Sequence, residues 1–242
     1  MTIILGLGIL FLASLITGMT GFGFALIAVP LLTLLLTPKV VVTTLLLLGL
    51  VNGVLILVQT WRWLKPRRIW PLLVGGVVGA PLGTTLLLAL DADLLQALIG
   101  VVVVLSALAL SAGLRWQVQD ERHAAAGAGL LSGVLAGSTG IGGPPVILFF
   151  ANQDTPKQVF RANITLFFLT LGISNLISQS LGGLVTRPVL SYTLWFLPAL
   201  LGGTWLGTWL ADRVSERLFR KITLTLVIST GLSAIVSSTG LL

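Results

Sequence analysis

Cysteine and charge are both scarce in this 242-residue chain. It has no cysteine, which excludes disulfides, thiolate metal sites and cysteine catalysis. Only 9% of its residues are charged, against about 25% in soluble domains. No Asp or Glu falls clearly inside an apolar segment, where proton relays usually place one, so a cation carrier or proton pump is disfavoured. We predict no enzyme activity, no cofactor and no metal site.

Hydrophobic residues make up 56% of the chain, and the mean hydropathy is +1.08. A membrane-spanning helix needs about 20 mostly apolar residues, and the chain has a series of such runs between short polar breaks. The runs are continuous rather than alternating, which favours helices over a barrel. The sequence predicts an all-α, multi-pass protein of the cytoplasmic membrane. Its apolar segments are 2–36, 40–60, 69–90, 94–113, 124–151, 159–183, 188–211 and 222–241.

Four motifs of the first half recur in the same order in the second half, at offsets of 118, 119, 123 and 124 residues. Four matches in register indicate an internal repeat, with a first copy at 1–114 and a second at 124–242. The matched pairs are Thr37-Pro38-Lys39 and Thr155-Pro156-Lys157, Gly18-x-Thr20-Gly21-x-Gly23 and Gly137-x-Thr139-Gly140-x-Gly142, Leu48-Gly49-x-x-Asn52 and Leu171-Gly172-x-x-Asn175, and Gly79-x-x-Leu82-Gly83-Thr84 and Gly203-x-x-Leu206-Gly207-Thr208. Small residues such as Gly79/Gly83 and Gly203/Gly207 also predict close helix packing, and such faces suggest a homodimer.

The net charge of +7 comes from short loops between apolar runs, which is typical of topology signals and argues against nucleic acid as a partner. If every segment crossed the membrane once, the 14 basic residues would divide equally between the two sides. If the first and fifth segments each enter and leave on one side, only Lys39 and Arg187 lie opposite the cytoplasmic face. Each repeat is then a broken-helix hairpin (2–36 and 124–151) plus three transmembrane helices, and the second copy is inverted.

The two hairpins are each interrupted by glycine, at 18–23 and at 137–145, where prolines also disfavour helix. Irregular backbone at membrane depth is tolerated where it lines a cavity, and broken helices of inverted repeats usually carry a transporter's substrate site. Helix N-termini bind anions through free N–H groups. The sequence therefore predicts a small-anion site between the two breaks. Its predicted residues are Thr20, Gly21, Phe22, Gly23, Ser138, Thr139, Gly140, Gly142 and Gly143.

Polar residues near these breaks extend the predicted site. Asn52 and Asn175 occupy matching positions one segment after each break and could donate to an anion, or could bond neighbouring helices instead. Arg161 could attract anions, or could serve as a topology charge. Asp154, at an inner helix boundary, is the nearest candidate for coupling.

The residues resemble the sulfite exporter TauE/SafE family. The resemblance is carried by Thr20-Gly21-Phe22-Gly23-Phe24-Ala25 with Val29-Pro30, and by Gly137-Ser138-Thr139-Gly140-Ile141-Gly142-Gly143-Pro144-Pro145. It covers essentially the whole chain, including the duplicated halves. It implies a membrane permease that moves sulfite, sulfonates, sulfoacetate or related organic anions, usually outward.

Three other interpretations stay open at the level of sequence. An anion channel could use the same breaks as a filter, and an uptake permease could carry a related oxyanion inward. A membrane scaffold or assembly subunit would move no anion at all.

Overall fold

The computed structural model describes residues 2–111, 121–151, 155–211 and 213, and all regular structure within these residues is helical. The predicted helix 222–241 and most of the connecting segment 115–123 lie outside the described residues. A short 3-10 helix, Trp61–Trp63, follows the third α-helix. The α-helices are α1 (Thr2–Thr20), α2 (Phe24–Leu32), α3 (Pro38–Thr60), α4 (Pro66–Ala89), α5 (Ala92–Ser111), α6 (Glu121–Thr139), α7 (Gly143–Ala151), α8 (Lys157–Leu181) and α9 (Arg187–Ala211).

Helix starts follow the turn chemistry of the sequence. α3 and α4 each begin with proline, whose missing N–H costs nothing in the first turn. Before α5, the Asp91 carboxylate accepts a hydrogen bond from the Leu94 N–H at 2.8 Å, as a helix cap does. The predicted segments agree with α3, α4, α5, α8 and α9 to within a few residues, and α6 begins three residues earlier than the predicted start at 124.

The helices expose apolar side chains and bury polar ones. α1, α3, α4, α8 and α9 each contain a stretch long and apolar enough to cross a membrane, and α5 contains a shorter one. Leu181 is 86% exposed and Ile4 75% exposed, whereas Asn52 and Asn175 are each only 2% exposed. This arrangement suits a lipid environment, where backbone groups are satisfied within helices and polar side chains turn inward. The chain is a multi-pass membrane protein.

Both long apolar segments are interrupted at glycines, as predicted. Residues 21–23 separate α1 from α2, and residues 140–142 separate α6 from α7. Gly21, Gly23 and Gly140 have φ angles of 85°, 95° and 77°. This left-handed conformation costs a residue with a side chain about 1–2 kcal/mol. Glycine at these positions therefore lets each helix end abruptly and the next one begin within a few residues.

The breaks are shorter than the sequence predicted. The first was predicted at 18–23, but α1 continues through Thr20. The second was predicted at 137–145, but α6 continues through Thr139 and α7 already contains Pro144 and Pro145. Both prolines lie in the first turn of α7, the part of a helix that tolerates them.

The two halves of the chain contact each other along two seams of glycine backbone, between α1 and α9 and between α4 and α6. At the α1–α9 seam, a Cβ added to Gly18 would lie 3.1 Å from the Gly207 Cα. At the α4–α6 seam, a Cβ added to Gly133 would lie 2.9 Å from the Gly79 Cα. Backbones this close leave no room for a side chain, which confirms the packing role predicted for the repeated glycine pairs. Both seams are intramolecular, so the homodimer stays a prediction.

α3 and α8 lie at the centre of the helix bundle. They contact each other, α3 also packs on α9, and α8 also packs on α4. Each of these two helices therefore contacts the corresponding pair of helices in the other half of the chain. One face of α3 and one face of α8 lie against the two glycine breaks.

Candidate functional site

A cavity of about 140 Å³ lies between the two breaks. Its walls come from both breaks, from the starts of α2 and α7, and from one face each of α3 and α8. A volume of about 10–15 Å³ accessible to a water-sized probe already holds one water, so this cavity has room for a small ligand or several waters. It brings together eight residues predicted for the site: Gly21, Phe22, Gly23, Asn52, Gly140, Gly142, Gly143 and Asn175.

Two helix N-termini meet at the cavity. α2 begins at Phe24 and α7 at Gly143, and both residues line the cavity. The first N–H groups of a helix have no intrahelical acceptor and carry the positive end of its dipole. Because Pro144 and Pro145 lack an N–H, α7 offers fewer free donors than α2 does. The first half of the chain therefore supplies more of the backbone donors.

The central helices contribute matched side chains. At the offset of 123 residues that relates Asn52 to Asn175, Gly49 of α3 corresponds to Gly172 of α8, and all four residues line the cavity. Thr165 lines it as well and was not predicted from the sequence. The sequence carries no clear signal for Thr165, since ten residues place it about 80° around α8 from Asn175.

Three residues that line the cavity each have a fully buried polar atom without a hydrogen-bond partner in the protein: Asn52 Nδ2, Thr165 Oγ1 and Asn175 Oδ1. The other end of the Asn52 amide is satisfied, since the Thr204 hydroxyl donates to Asn52 Oδ1 at 2.8 Å. A buried polar group left unpaired costs about 1–3 kcal/mol, so nearly all such groups in proteins find partners. The cavity wall therefore includes three residues with unpaired polar groups.

The hydroxyls predicted for the site lie elsewhere. Thr20 Oγ1 lies within hydrogen-bond distance of two carbonyls, those of Ile16 at 2.9 Å and Phe22 at 2.7 Å, and its single hydrogen serves one or the other. Thr139 Oγ1 donates to the Leu135 carbonyl at 2.8 Å, and Ser138 Oγ donates to its own helix in the same way. None of the three lines the cavity. These hydroxyls bond to carbonyls one turn back in α1 and α6.

Arg161 lies beside the first break. Its side chain is 2% exposed, and its Nη2 donates to the Gly18 carbonyl, in the last turn of α1, at 2.7 Å. A cation stabilises a helix C-terminus, where carbonyls lack partners and the dipole is negative. Arg161 does not line the cavity, and it precedes Thr165 by one turn of α8. Asp154, the predicted coupling residue, lies outside the described residues.

Comparisons with known proteins place this arrangement in a family. No curated protein and no solved structure matches the chain. A family profile described as sulfite exporter TauE/SafE matches residues 6–234, nearly the whole chain and both halves of the repeat. The chain belongs to the sulfite exporter TauE/SafE family.

Proposed function

We propose that this protein is a secondary transporter that exports sulfur-containing or organic anions, of the sulfite, sulfonate and sulfoacetate class, across the cytoplasmic membrane. The family supports a membrane transporter of sulfur anions. The observation that carries the site is the cavity between the two breaks, which is lined by Asn52 and Thr165, two residues with an unpaired buried polar atom. Neutral donors and helix N-termini bind an anion without an ionised side chain. The anion is held there, near the middle of the membrane.

The contacts between α3 and α8 support halves that are inverted relative to each other. α3 and α8 are corresponding helices, because they carry the matched Asn52 and Asn175. A Cβ added to Gly172 would lie 2.8 Å from Leu50, and one added to Gly53 would lie 3.2 Å from Leu169. Later residues of α3 thus meet earlier residues of α8. Corresponding helices that run antiparallel are the signature of an inverted repeat.

Two further contacts extend this reasoning. Beyond the end of α3, the Lys65 N–H donates to Asn163 Oδ1, near the start of α8, at 2.9 Å. In the first hairpin, a Cβ added to Gly6 would lie 3.7 Å from Leu32, and one added to Gly23 would lie 3.8 Å from Ile16. The start of α1 therefore meets the end of α2, as in a hairpin whose two arms run antiparallel.

Reporter fusions test this topology. We expect a reporter fused within residues 61–65 to be cytoplasmic and one fused within residues 182–186 to be external, because α8 runs opposite to α3. The readout is the activity of paired reporters that are active only on one side of the membrane. A cytoplasmic result for 182–186 would contradict the inverted arrangement.

Filling the cavity tests the site. Leucine at Gly49 is expected to reduce sulfite flux in proteoliposomes by about tenfold or more, a change that corresponds to about 1.4 kcal/mol. Gly49 lines the cavity, and a Cβ there would meet nothing within 4 Å, so the first atom of the new side chain displaces no neighbour. Leucine also favours helix over glycine by close to 1 kcal/mol.

Gly100→Leu is the matched control. Gly100 is also helical, its Cβ would also meet nothing within 4 Å, and it does not line the cavity. We expect normal flux in this variant. Equal fluxes in Gly49→Leu and Gly100→Leu would exclude the cavity as the site, and conductance without saturation in the wild type would identify a channel instead.

A further inference from the structure

An open groove of about 460 Å³ lies where α3 ends. Its walls come from the last turn of α3 and from the 3-10 helix that follows: Val58, Gln59, Trp61, Arg62 and Trp63. The apolar stretch that begins at Pro38 ends at Trp63, so the groove lies at the boundary between lipid tails and headgroups. At this depth a neighbouring lipid presents its glycerol and its phosphate.

The groove combines apolar and polar walls. Val58 is 68% exposed, and Trp61 and Trp63 are 59% and 52% exposed. Exposed indoles at the end of a membrane helix are typical of the interfacial layer, which accommodates both an apolar ring and its N–H group. Gln59 and Arg62 are also exposed, and their side chains supply polar donors next to the rings.

The guanidinium of Arg62 is positioned by an aromatic ring. Its Cζ lies 5.8 Å from the centre of the Trp61 ring, a cation–π contact. Within the described part of the chain, this side chain makes no hydrogen bond and no ion pair. Its N–H groups therefore remain available to a ligand, and a guanidinium matches the geometry of a phosphate.

The charge next to the groove has one sign. Residues 61–70 contain four basic residues and no acidic one, and the first acidic residue of the chain is Asp91, beyond the other end of α4. Basic clusters of this size beside a membrane helix attract anionic lipid headgroups. The four residues are Arg62, Lys65, Arg67 and Arg68.

Glu121, at the start of α6, is the acidic residue of the helix that packs along α4. In that packing a Cβ added to Gly79 would meet the Leu130 carbonyl. The same register places Glu121 level with Trp70, inside α4, and not at the groove.

We propose that this groove binds an anionic phospholipid of the surrounding bilayer. Arg62 and the Gln59 amide donate to its phosphate, and the rings of Trp61 and Trp63 pack against its glycerol and the first carbons of its acyl chains. Lys65, exposed just beyond the groove, favours a headgroup with a net negative charge over a zwitterionic one. The proposal does not depend on which anion the protein transports.

Thermal unfolding of the purified protein in detergent tests the lipid preference. Dioleoylphosphatidylglycerol, which is anionic, is expected to raise the unfolding temperature by about 3–5 °C at about ten times its dissociation constant. Dioleoylphosphatidylcholine has the same acyl chains and a zwitterionic headgroup, and it should raise the temperature less at the same mole fraction. Equal stabilisation by the two lipids would overturn the proposal, and so would equal stabilisation by inorganic phosphate, which has no acyl chains.

Two variants, each with a matched control, assign the lipid to the groove. Arg62→Gln is expected to raise the half-saturating concentration of phosphatidylglycerol about fivefold, the factor for one basic residue at a membrane surface. Arg187→Gln should leave it unchanged, because Arg187 is also exposed but begins α9 and does not line the groove.

Trp61→Leu should weaken phosphatidylglycerol as well, because it removes the ring that positions Arg62. Trp205→Leu should not, since Trp205 is 69% exposed but lies on α9. Wild-type half-saturation in Arg62→Gln, or an equal loss in Arg187→Gln, would overturn the assignment to the groove.

Discussion

Replacing Gly21 or Gly140 with leucine is expected to abolish sulfite flux in proteoliposomes while the protein still inserts into the membrane. Both residues line the cavity and have positive φ angles, of 85° and 77°. A Cβ at Gly21 would lie 3.2 Å from Ile164, and one at Gly140 would lie 3.3 Å from Val29. Leucine would therefore strain the backbone and displace the wall of the site. Flux and the amount of protein in the membrane are the two measurements.

Gly183→Leu separates backbone strain from the site. Gly183 also has a positive φ angle, of 71°, but a Cβ there would meet nothing within 4 Å, and the residue does not line the cavity. Leucine at this position bears the same conformational cost, about 1–2 kcal/mol. We expect flux close to that of the wild type. Normal flux in both Gly21→Leu and Gly140→Leu would exclude the breaks from transport.

Arg161→Met is expected to lower flux about tenfold or more and to reduce stability by about 1.5–3 kcal/mol, the usual contribution of a hydrogen bond to a charged group. The Arg161 guanidinium donates to the Gly18 carbonyl. The backbone of Arg161 is also close to the break, since a Cβ added to Gly21 would lie 3.3 Å from the Arg161 Cα. Loss of the guanidinium removes the charge that stabilises the end of α1, directly before the first break. Arg161→Lys should restore little, because an ammonium on a flexible stem does not replace the planar guanidinium. Flux and thermal unfolding in detergent measure the two effects.

Lys157→Met is the control for Arg161, one turn earlier on α8. Lys157 Nζ donates to the Ala211 carbonyl, at the end of α9, at 2.5 Å. Its loss also removes a cation from a helix C-terminus, but neither Lys157 nor Ala211 lines the cavity. We expect flux close to that of the wild type. If Arg161→Met matches the wild type in both flux and unfolding temperature, Arg161 has no role in positioning the first break.

The helices and the breaks were predictable because the signals that set them are local. Apolar runs set the helices, and glycine and proline set their ends, so α3, α8 and both interruptions were predicted from the sequence. The pair Asn52 and Asn175 was predicted because it recurs in both halves. Thr165 was missed because its counterpart in the first half is Val42, so the repeat carries no sign of it.

The surroundings of a hydroxyl or a guanidinium depend on tertiary structure, which the sequence does not reveal. Thr20, Ser138 and Thr139 were predicted as anion donors from their proximity to the breaks. In the structure each donates to a nearby backbone carbonyl, a bond that threonine and serine readily form inside a helix. Arg161 bonds to Gly18 across 143 residues of sequence, a pairing that only the packing of α8 beside α1 produces.

The α1–α9 seam also has a consequence for the order of events during synthesis. Across it, Ser14 Oγ lies 3.4 Å from the Ala199 carbonyl, and the two residues are 185 positions apart. The ribosome therefore delivers α1 to the bilayer long before its partner has been made. Contacts so distant in sequence form late, and partly assembled chains expose surfaces that are normally covered. α1 thus waits for α9 before its packing is complete, and any delay in the synthesis of the second half prolongs the time for which this face of α1 is uncovered.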